Sequence, residues 1–406
     1  MTRGIADFQP KRLQQALETR SLTQGQLASL VGVSPATVSK WRSGDQSPES
    51  HKLERLATTL NLESDWFTRP LPAQVSKPLY RSNAQALKTA RSKLEGRIEW
   101  AQELAYMFGQ FADFPVVRIP ERSFVDPENI SDDDIEVAAE ECRLLWQLGR
   151  APIQDLVLAA ESAGIIVVRE ETEIPAIEGL SCWSSLLQRP LVLLSADKAN
   201  AFRSRFDLAH EIGHLILHKH ILRANERDRY SLMEKQAHRF AGALLLPAQT
   251  FADEIRMPVS LDNLLILKQK WGVSVAAIMM RLHALELIDD EEKLNLFKRR
   301  SSRWGAKSEP GDDKRPPEMP RLLKRTVDLL VNAGVMPSET IPRFVGLSAG
   351  DVEQLAGLGE GYFSGPAEIV QLATLRSPKA EPDVRSTHAT DGPSNVVHFP
   401  NPTRSN

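Results

Sequence analysis

Cysteine is scarce in this chain of 406 residues, which contains only Cys142 and Cys182 and no CxxC pair. Two distant thiols argue against a disulfide framework or a thiolate zinc site, and they suit a reducing compartment. Long apolar runs and an apolar N-terminal segment are also lacking. We therefore expect a cytoplasmic protein with no membrane partner. The net charge of −3 is small, so a polyanionic partner would need a local basic patch.

The length and the composition predict several soluble domains. A chain of 406 residues is too long for one ordinary core. Its 42% apolar and 25% charged residues are typical of globular proteins. Changes of pattern predict a helical domain, a basic helical linker, an α+β domain, a Pro-rich linker, a small helical domain and a disordered tail at 1–68, 69–120, 121–297, 298–320, 321–363 and 364–406.

The first segment contains "LTQGQLASLVGVSPATVSKW", in which apolar residues recur at helical spacing. Thr23 and Ser34 are suitable N-cap residues, and Gly32 favours a turn between two helices. This pattern resembles the XRE/Cro-type helix-turn-helix domain over residues 7–67. The resemblance implies that double-stranded DNA is a partner and that the second helix enters its major groove.

The same resemblance implies a set of DNA contacts at the start of the second helix. Phosphate contacts are expected from Gln24 and Lys40, and contacts at the base edges from Ser34, Pro35, Ala36 and Thr37. Pro35 and Ala36 carry no hydrogen-bonding side chain, so we expect modest direct readout and a contribution from DNA shape. Because residues 1–68 are almost neutral, a helical adaptor that does not bind DNA remains an alternative.

Lysine and arginine outnumber acidic residues between positions 69 and 111. The simpler interpretation is a solvated helix face, and the alternative is a phosphate-contacting extension of the N-terminal domain. DNA affinity would then depend on this segment or on homodimerisation.

The stretch "FDLAHEIGHLILHKH" (206–220) contains the pattern H-E-x-x-H. His210 and His214 lie one helical turn apart, so both imidazoles can bind one Zn²⁺ ion. Glu211 is placed to reach a metal-bound water as a general base. Gly213 is costly inside a helix, and close packing against a neighbouring element would explain it. The alternative is a surface helix with two solvated histidines.

A zinc site needs a third protein ligand, for which two residues compete. His220 has the ligand spacing of H-E-x-x-H-x-x-G-x-x-H enzymes, but Leu217 replaces the glycine that makes the chain turn. "HLILHKH" predicts a continuous helix that carries His220 away. Glu234, in the helical segment "EKQAHRFAGALLLP", would instead complete a His₂Glu site of the thermolysin type. We favour Glu234.

These residues resemble the ImmA/IrrE metallo-endopeptidases over most of 121–290. The family pattern H-E-x-G-H, E-x-x-A-[ND]-x-F-A and a Leu-rich run ending in Pro is matched except at His238, where Asn or Asp is usual. The resemblance implies an α+β zincin-like fold of the gluzincin type, with His210, His214 and Glu234 on zinc and Glu211 as the catalytic base. We expect His238 to accept the second-shell hydrogen bond instead.

Further roles in this domain remain open. An oxyanion donor is expected, and His218, Tyr230 and His238 are candidates, although a structural role is the favoured interpretation for each. "PLVLLS" (190–195) is a candidate edge strand for holding an extended peptide by β-augmentation.

The leading hypothesis is a DNA-binding transcriptional regulator that also carries a zinc endopeptidase. By the resemblance, its substrate is a helix-turn-helix repressor or the chain's own linker, in the control of stress responses or mobile elements. The alternative is a DNA-binding regulator whose zinc pocket is a sensor or a structural site. We expect residues 321–363 to form a module for protein interaction or dimerisation.

Overall fold

The structure is a computed structural model that describes residues 4–72, 75–76, 85–173, 177–197, 200–222, 224, 226–305 and 308–364. The expected disordered tail at 364–406 lies outside the described residues except for its first residue. Within the described part of the chain, no helix is long and apolar enough to cross a membrane.

The N-terminal region is a bundle of short helices. Their boundaries lie where the capping residues in the sequence predict them. The helices are α1 (Pro10–Thr19), α2 (Gln24–Val31), α3 (Pro35–Ser43) and α4 (Ser50–Leu60). The Thr23 hydroxyl accepts the Gln26 N–H, and the Ser34 hydroxyl accepts the Thr37 N–H. Gly32 ends α2 in the left-handed conformation that lets α3 turn away. The predicted helix-turn-helix is thereby formed.

Helix α5 (Gln85–Phe108) lies in the segment expected to be a basic linker. It is neither a solvated face nor a phosphate-contacting extension at its centre, because Ile98, Trp100 and Leu104 are fully buried. Arg97 is also buried and makes ion pairs with acidic side chains from two other elements. The count of charged residues could not predict these ion pairs, because a buried, paired arginine cannot be distinguished in sequence from a solvated one.

The α+β region contains three strands, β1 (Ile166–Glu170), β2 (Gly179–Ser184) and β3 (Arg189–Ser195). Strand β3 is central, parallel to β1 and antiparallel to β2. The expectation that "PLVLLS" is an edge strand is therefore wrong, and β1 and β2 are the two edge strands of the described sheet. Five successive residues of β3 are buried, as in a central strand, whereas burial alternates along β2.

The same region contains eight α-helices among the described residues. They are α6 (Asp132–Leu145), α7 (Leu156–Ser162), α8 (Ala201–Leu217), α9 (Arg227–Leu245), α10 (Ala248–Ala252), α11 (Leu261–Trp271), α12 (Val275–Ala284) and α13 (Asp290–Trp304). Helices α8 and α9 share one apolar core with β3, α6 and α12. The α+β architecture expected from the sequence is confirmed.

The segment expected to be a linker at 298–320 is fastened to the domain. Helix α13 continues into it as far as Trp304. Farther on, buried Glu309 accepts the backbone N–H groups of Val275 and Ala276, and buried Glu318 accepts those of Leu156 and Val157. Each glutamate thus caps a distant helix. A glutamate in a polar, Pro-rich stretch gives no sequence signal of this long-range role.

The C-terminal helices are α14 (Leu322–Asn332), α15 (Ile341–Val345) and α16 (Ala349–Ala356). They share a core with the N-terminal helices and the sheet. Asp351 of α16 pairs with Arg20 of α1 and with Arg97 of α5, each at 2.5 Å, and Arg97 also pairs with Glu170 of β1 at 2.5 Å. A buried ionic chain therefore connects the helix-turn-helix, the C-terminal helices and the sheet.

Candidate metal centre and nucleic-acid interface

Two packed helices position the candidate metal ligands. The Asn200 side chain caps α8 by accepting the Arg203 N–H. Helix α9 crosses α8 at Gly213, where an added Cβ would lie 3.1 Å from Phe240 and 3.2 Å from Ala237. The absent side chain therefore permits the close approach that we expected from the cost of a helical glycine.

Three side chains converge at this crossing. The His210 and His214 Nε2 atoms are 3.0 Å apart, and Glu234 Oε1 lies 3.2 Å from His214 Nε2. Glu234 Oε2 lies 3.6 Å from His210 Nε2. A tetrahedral zinc with bonds of about 2.0–2.1 Å separates its ligand atoms by about 3.3 Å. These three residues therefore fit a zinc ion, and they form a potential metal-binding group.

The surroundings of Glu234 favour its ionised form. Burial favours the neutral carboxyl, but the hydrogen bond and the charge of His214 and the charge of His210 outweigh it. They lower the pKa of Glu234 to about 2. The Tyr230 hydroxyl, one turn earlier on α9, donates a hydrogen bond to Glu234 Oε1. An ionised carboxylate is the form that binds a metal.

His220 lies outside this group. Helix α8 ends at Leu217, so the expected continuous helix through His220 is wrong. His220 is exposed beyond the helix end, and among the described residues it does not belong to the potential metal-binding group. Glu234 is the competing residue that the fold places beside the two histidines.

A hydrogen-bond chain determines which nitrogen of His214 faces the metal position. The Gln236 amide nitrogen donates to the carbonyls of Pro127 and Ile130, so its oxygen must accept from His218 Nε2 at 3.1 Å. His218 Nδ1, 2.9 Å from His214 Nδ1, is then the acceptor of that pair. His214 consequently carries a proton on Nδ1, which leaves Nε2 as the nitrogen that can bind a metal.

His218 therefore lies in a hydrogen-bond chain behind the candidate ligand His214, which agrees with the structural role favoured for it over that of an oxyanion donor. It is buried, and burial followed by the charge of His214 lowers the pKa of His218 to about 3, in keeping with a neutral ring. The sequence contained a signal for this role, since His218 follows His214 by one helical turn. Gln236 was missed because it is one polar residue among many on α9.

His238 does not replace the usual Asn or Asp as a hydrogen-bond partner of His210. Its Nδ1 lies 2.7 Å from the Glu234 main-chain carbonyl, which accepts a hydrogen bond from the Nδ1–H. The rings of His238 and His210 instead meet edge to face at a centroid distance of 4.5 Å. His210 Nδ1 is buried and has no hydrogen-bond partner among the described residues. The two candidate ligand histidines are thus supported differently.

The side chain of Glu211, a residue of α8, lies against strand β2. An added Cβ at Gly179 would be 3.4 Å from Glu211 Cγ, and the Ser181 hydroxyl donates to the Glu211 carbonyl at 3.4 Å. Burial raises the pKa of Glu211, while His214 and Ser181 act in the opposite direction. A cavity of about 1900 Å³ adjoins the centre and is lined in part by Glu234, Tyr230, His238, Phe206 and Met280. The cavity therefore reaches the centre at Glu234.

An α+β domain with these converging residues defines a zincin-like class of metal centre, carried here behind a helix-turn-helix. Comparison with protein families agrees with this assignment. Residues 13–67 match the helix-turn-helix model, and residues 160–283 match the peptidase M78 model, described as an IrrE N-terminal-like domain. The chain thus joins a helix-turn-helix domain to an IrrE N-terminal-like peptidase domain, as predicted. No curated protein matches the chain.

The predicted DNA-contact residues lie at the start of α3 and beside it. Ser34, Pro35, Ala36 and Lys40 are exposed, and Thr37 is half-buried. The Ser34 and Thr37 hydroxyls lie 2.9 Å apart, so they bond to each other. These roles remain predictions from the helix-turn-helix resemblance.

Gln24 is engaged within the protein in this structure. Its amide nitrogen donates to the Pro35 carbonyl at 2.6 Å, and its oxygen accepts from Arg42 at 3.2 Å. Arg42 is exposed on α3 and was missed by the sequence reasoning. Its charge next to Gln24 adds a second exposed cation to α3, the helix that also carries Lys40.

Proposed function

We propose that this protein is a DNA-binding transcriptional regulator that hydrolyses a peptide bond with a zinc-dependent endopeptidase domain. The observation that carries the proposal is the convergence of His210, His214 and Glu234, with the buried Glu211 carboxyl in electrostatic interaction with His214 and Glu234. A purely structural zinc site has no use for a carboxylate in the position of a general base.

The proposed mechanism assigns separate tasks to these residues. His210, His214 and Glu234 would hold zinc, which when bound polarises a carbonyl and acidifies water. Glu211 accepts a proton from the attacking water on its carboxylate and passes it to the leaving amine nitrogen. The Gln236–His218 chain keeps the Nε2 lone pair of His214 directed into the site.

The proposed substrate is a helix-turn-helix repressor or this chain's own linker, cleaved under stress or in the control of a mobile element. The resemblance to the ImmA/IrrE metallo-endopeptidases supports this proposal, together with a regulatory domain on the same chain. Lys40 and Arg42 on α3 support double-stranded DNA as the other partner. We also propose that the protein can act as a homodimer.

The alternative function is a DNA-binding regulator whose zinc pocket stabilises the fold or senses a ligand. The hydrogen-bond chain from the ligand His214 to the carbonyls of Pro127 and Ile130 favours it, because metal binding would be coupled to the packing of that loop.

Zinc-loaded wild type and Glu211→Gln separate these two functions. Both proteins are incubated alone and with purified helix-turn-helix repressors, and all products are identified by intact-mass spectrometry. The peptidase proposal expects equal zinc content and products from the wild type only. Equal zinc content with products from neither protein, under every condition that alters DNA binding, would favour the sensor.

A further inference from the structure

The free edge of β2 carries a short segment of the same chain. The Ser76 N–H donates to the Trp183 carbonyl at 2.8 Å, and the Trp183 N–H donates to the Ser76 hydroxyl at 2.8 Å. Val75 forms an antiparallel bridge with Ser184. Val75–Ser76 therefore add one rung to the sheet, on the side of β2 opposite β3.

The same edge leads directly to Glu211. In a strand, successive backbone groups alternate between the two edges, so the outward N–H and C=O of Trp183 imply that Ser181 and Gly179 also point outward. Gly179 lies against the Glu211 side chain, and the Ser181 hydroxyl donates to the Glu211 main-chain carbonyl. Two residues of a strand span about 6.6 Å. Trp183, which pairs with Ser76, therefore lies about 6.6 Å along β2 from Ser181.

The N-terminal domain holds the other end of this segment. Arg12 of α1 donates to the carbonyls of Arg69 and Pro70 at 3.3 and 2.9 Å. The Arg12 guanidinium is itself fixed by an ion pair with buried Glu103 of α5. The chain is thus held to the helix-turn-helix domain at Pro70 and to the sheet edge at Ser76.

We propose that Val75–Ser76 form a built-in competitor for peptide on the β2 edge. An extended peptide that pairs with Gly179 and Ser181 must displace Ser76 before it can also pair with Trp183. The competitor is autoinhibitory, and movement of the helix-turn-helix domain relative to the sheet would release it. This inference rests on the proposed endopeptidase function, but occupation of the edge can be measured without catalysis.

The first test measures the edge itself in the full-length protein. Ser76→Pro removes both the N–H donor and the hydroxyl acceptor, whereas Ser76→Ala removes only the hydroxyl. Amide hydrogen exchange at Trp183 should accelerate about ten-fold or more in Ser76→Pro, with exchange at Val192 of the central strand unchanged. Ser76→Ala should accelerate the Trp183 amide as well, since that amide donates to the lost hydroxyl. Unchanged exchange at Trp183 in both variants would overturn the proposal.

The second test measures competition, with a mixture of random decapeptides as the probe. In a Glu211→Gln background, Ser76→Pro should allow the decapeptides to protect the Ser181 amide at about five-fold lower concentration, because two hydrogen bonds need no longer be displaced. In the Glu211-containing protein, Ser76→Pro should lower the KM for decapeptides by a similar factor and leave tetrapeptides, which need not reach Trp183, unaffected. Equal protection with and without Ser76→Pro would refute the competitor. If protection changes but no protein cleaves any peptide, the endopeptidase function fails and the competitor stands.

Discussion

Replacement of His218 by phenylalanine tests how the metal ligand is oriented. The substitution keeps a buried ring but removes the acceptor for the His214 Nδ1–H, whose partner lies at 2.9 Å. A buried donor left without a partner costs about 1–3 kcal/mol. Loss of a hydrogen bond to a ligating histidine weakens metal affinity about 10–100-fold, equivalent to about 1.4–2.8 kcal/mol. The two ranges agree, so we expect zinc affinity to fall by one to two orders of magnitude.

The zinc dissociation constant should be measured by competition with a chromogenic chelator, and circular dichroism should establish that the metal-free variant is folded. His220→Phe is the matched control, since His220 is exposed beyond the end of α8 and should bind zinc as the wild type does. Gln236→Met should give a smaller loss than His218→Phe, because His218 keeps its ring but loses its donor–acceptor assignment. Wild-type affinity in His218→Phe would refute the assigned hydrogen-bond chain.

Three further predictions concern other regions. Burial raises the pKa of Glu161 to about 7, so the folded protein keeps a proton that the unfolded chain releases near 4.5. The stability of the wild type relative to Glu161→Gln, measured by urea unfolding, should therefore fall by about 3 kcal/mol as the pH rises from 4.5 to 7; a pH-independent difference would contradict this. Arg97→Met should lower unfolding stability by about 3–5 kcal/mol, because it removes the cationic partner of the buried Glu170 carboxylate and leaves Asp351 paired with Arg20 alone, and a loss below 1 kcal/mol would show that the ionic chain is dispensable. Lys40→Ala should weaken binding to duplexes selected by the wild-type protein and reduce the slope of log affinity against log salt by about 1; Lys235→Ala in the peptidase domain should leave the slope unchanged, and an unaltered slope in Lys40→Ala would exclude a phosphate contact.

The local signals in the sequence predicted the two domains and the metal-ligand geometry. Capping residues determine where short helices begin, so Thr23 and Ser34 located the helix-turn-helix. Helical spacing alone brings His210 and His214 to one side of α8, and the resemblance added Glu234 from a separate helix.

Interactions between distant segments were not predictable in the same way. Glu309 and Glu318 cap helices far away in the chain, and their surroundings in sequence are those of a solvated linker. The order of strands in the sheet also depends on packing, so "PLVLLS" became the central strand and β1 and β2 the edge strands. The fastening of Arg97 between Glu170 and Asp351 likewise requires three separate segments to meet.

The central claim is that Glu211 supports hydrolysis of a protein substrate. The most direct test compares new protein N-termini in native cells that carry the wild type or Glu211→Gln, with and without DNA damage or oxidative stress. If Glu211 is the general base, we expect at least one N-terminus that appears only with the wild type, in a helix-turn-helix repressor or in this chain's own linker at 69–80. Identical N-termini in both strains under every stress, with equal amounts of zinc-bound protein, would contradict it.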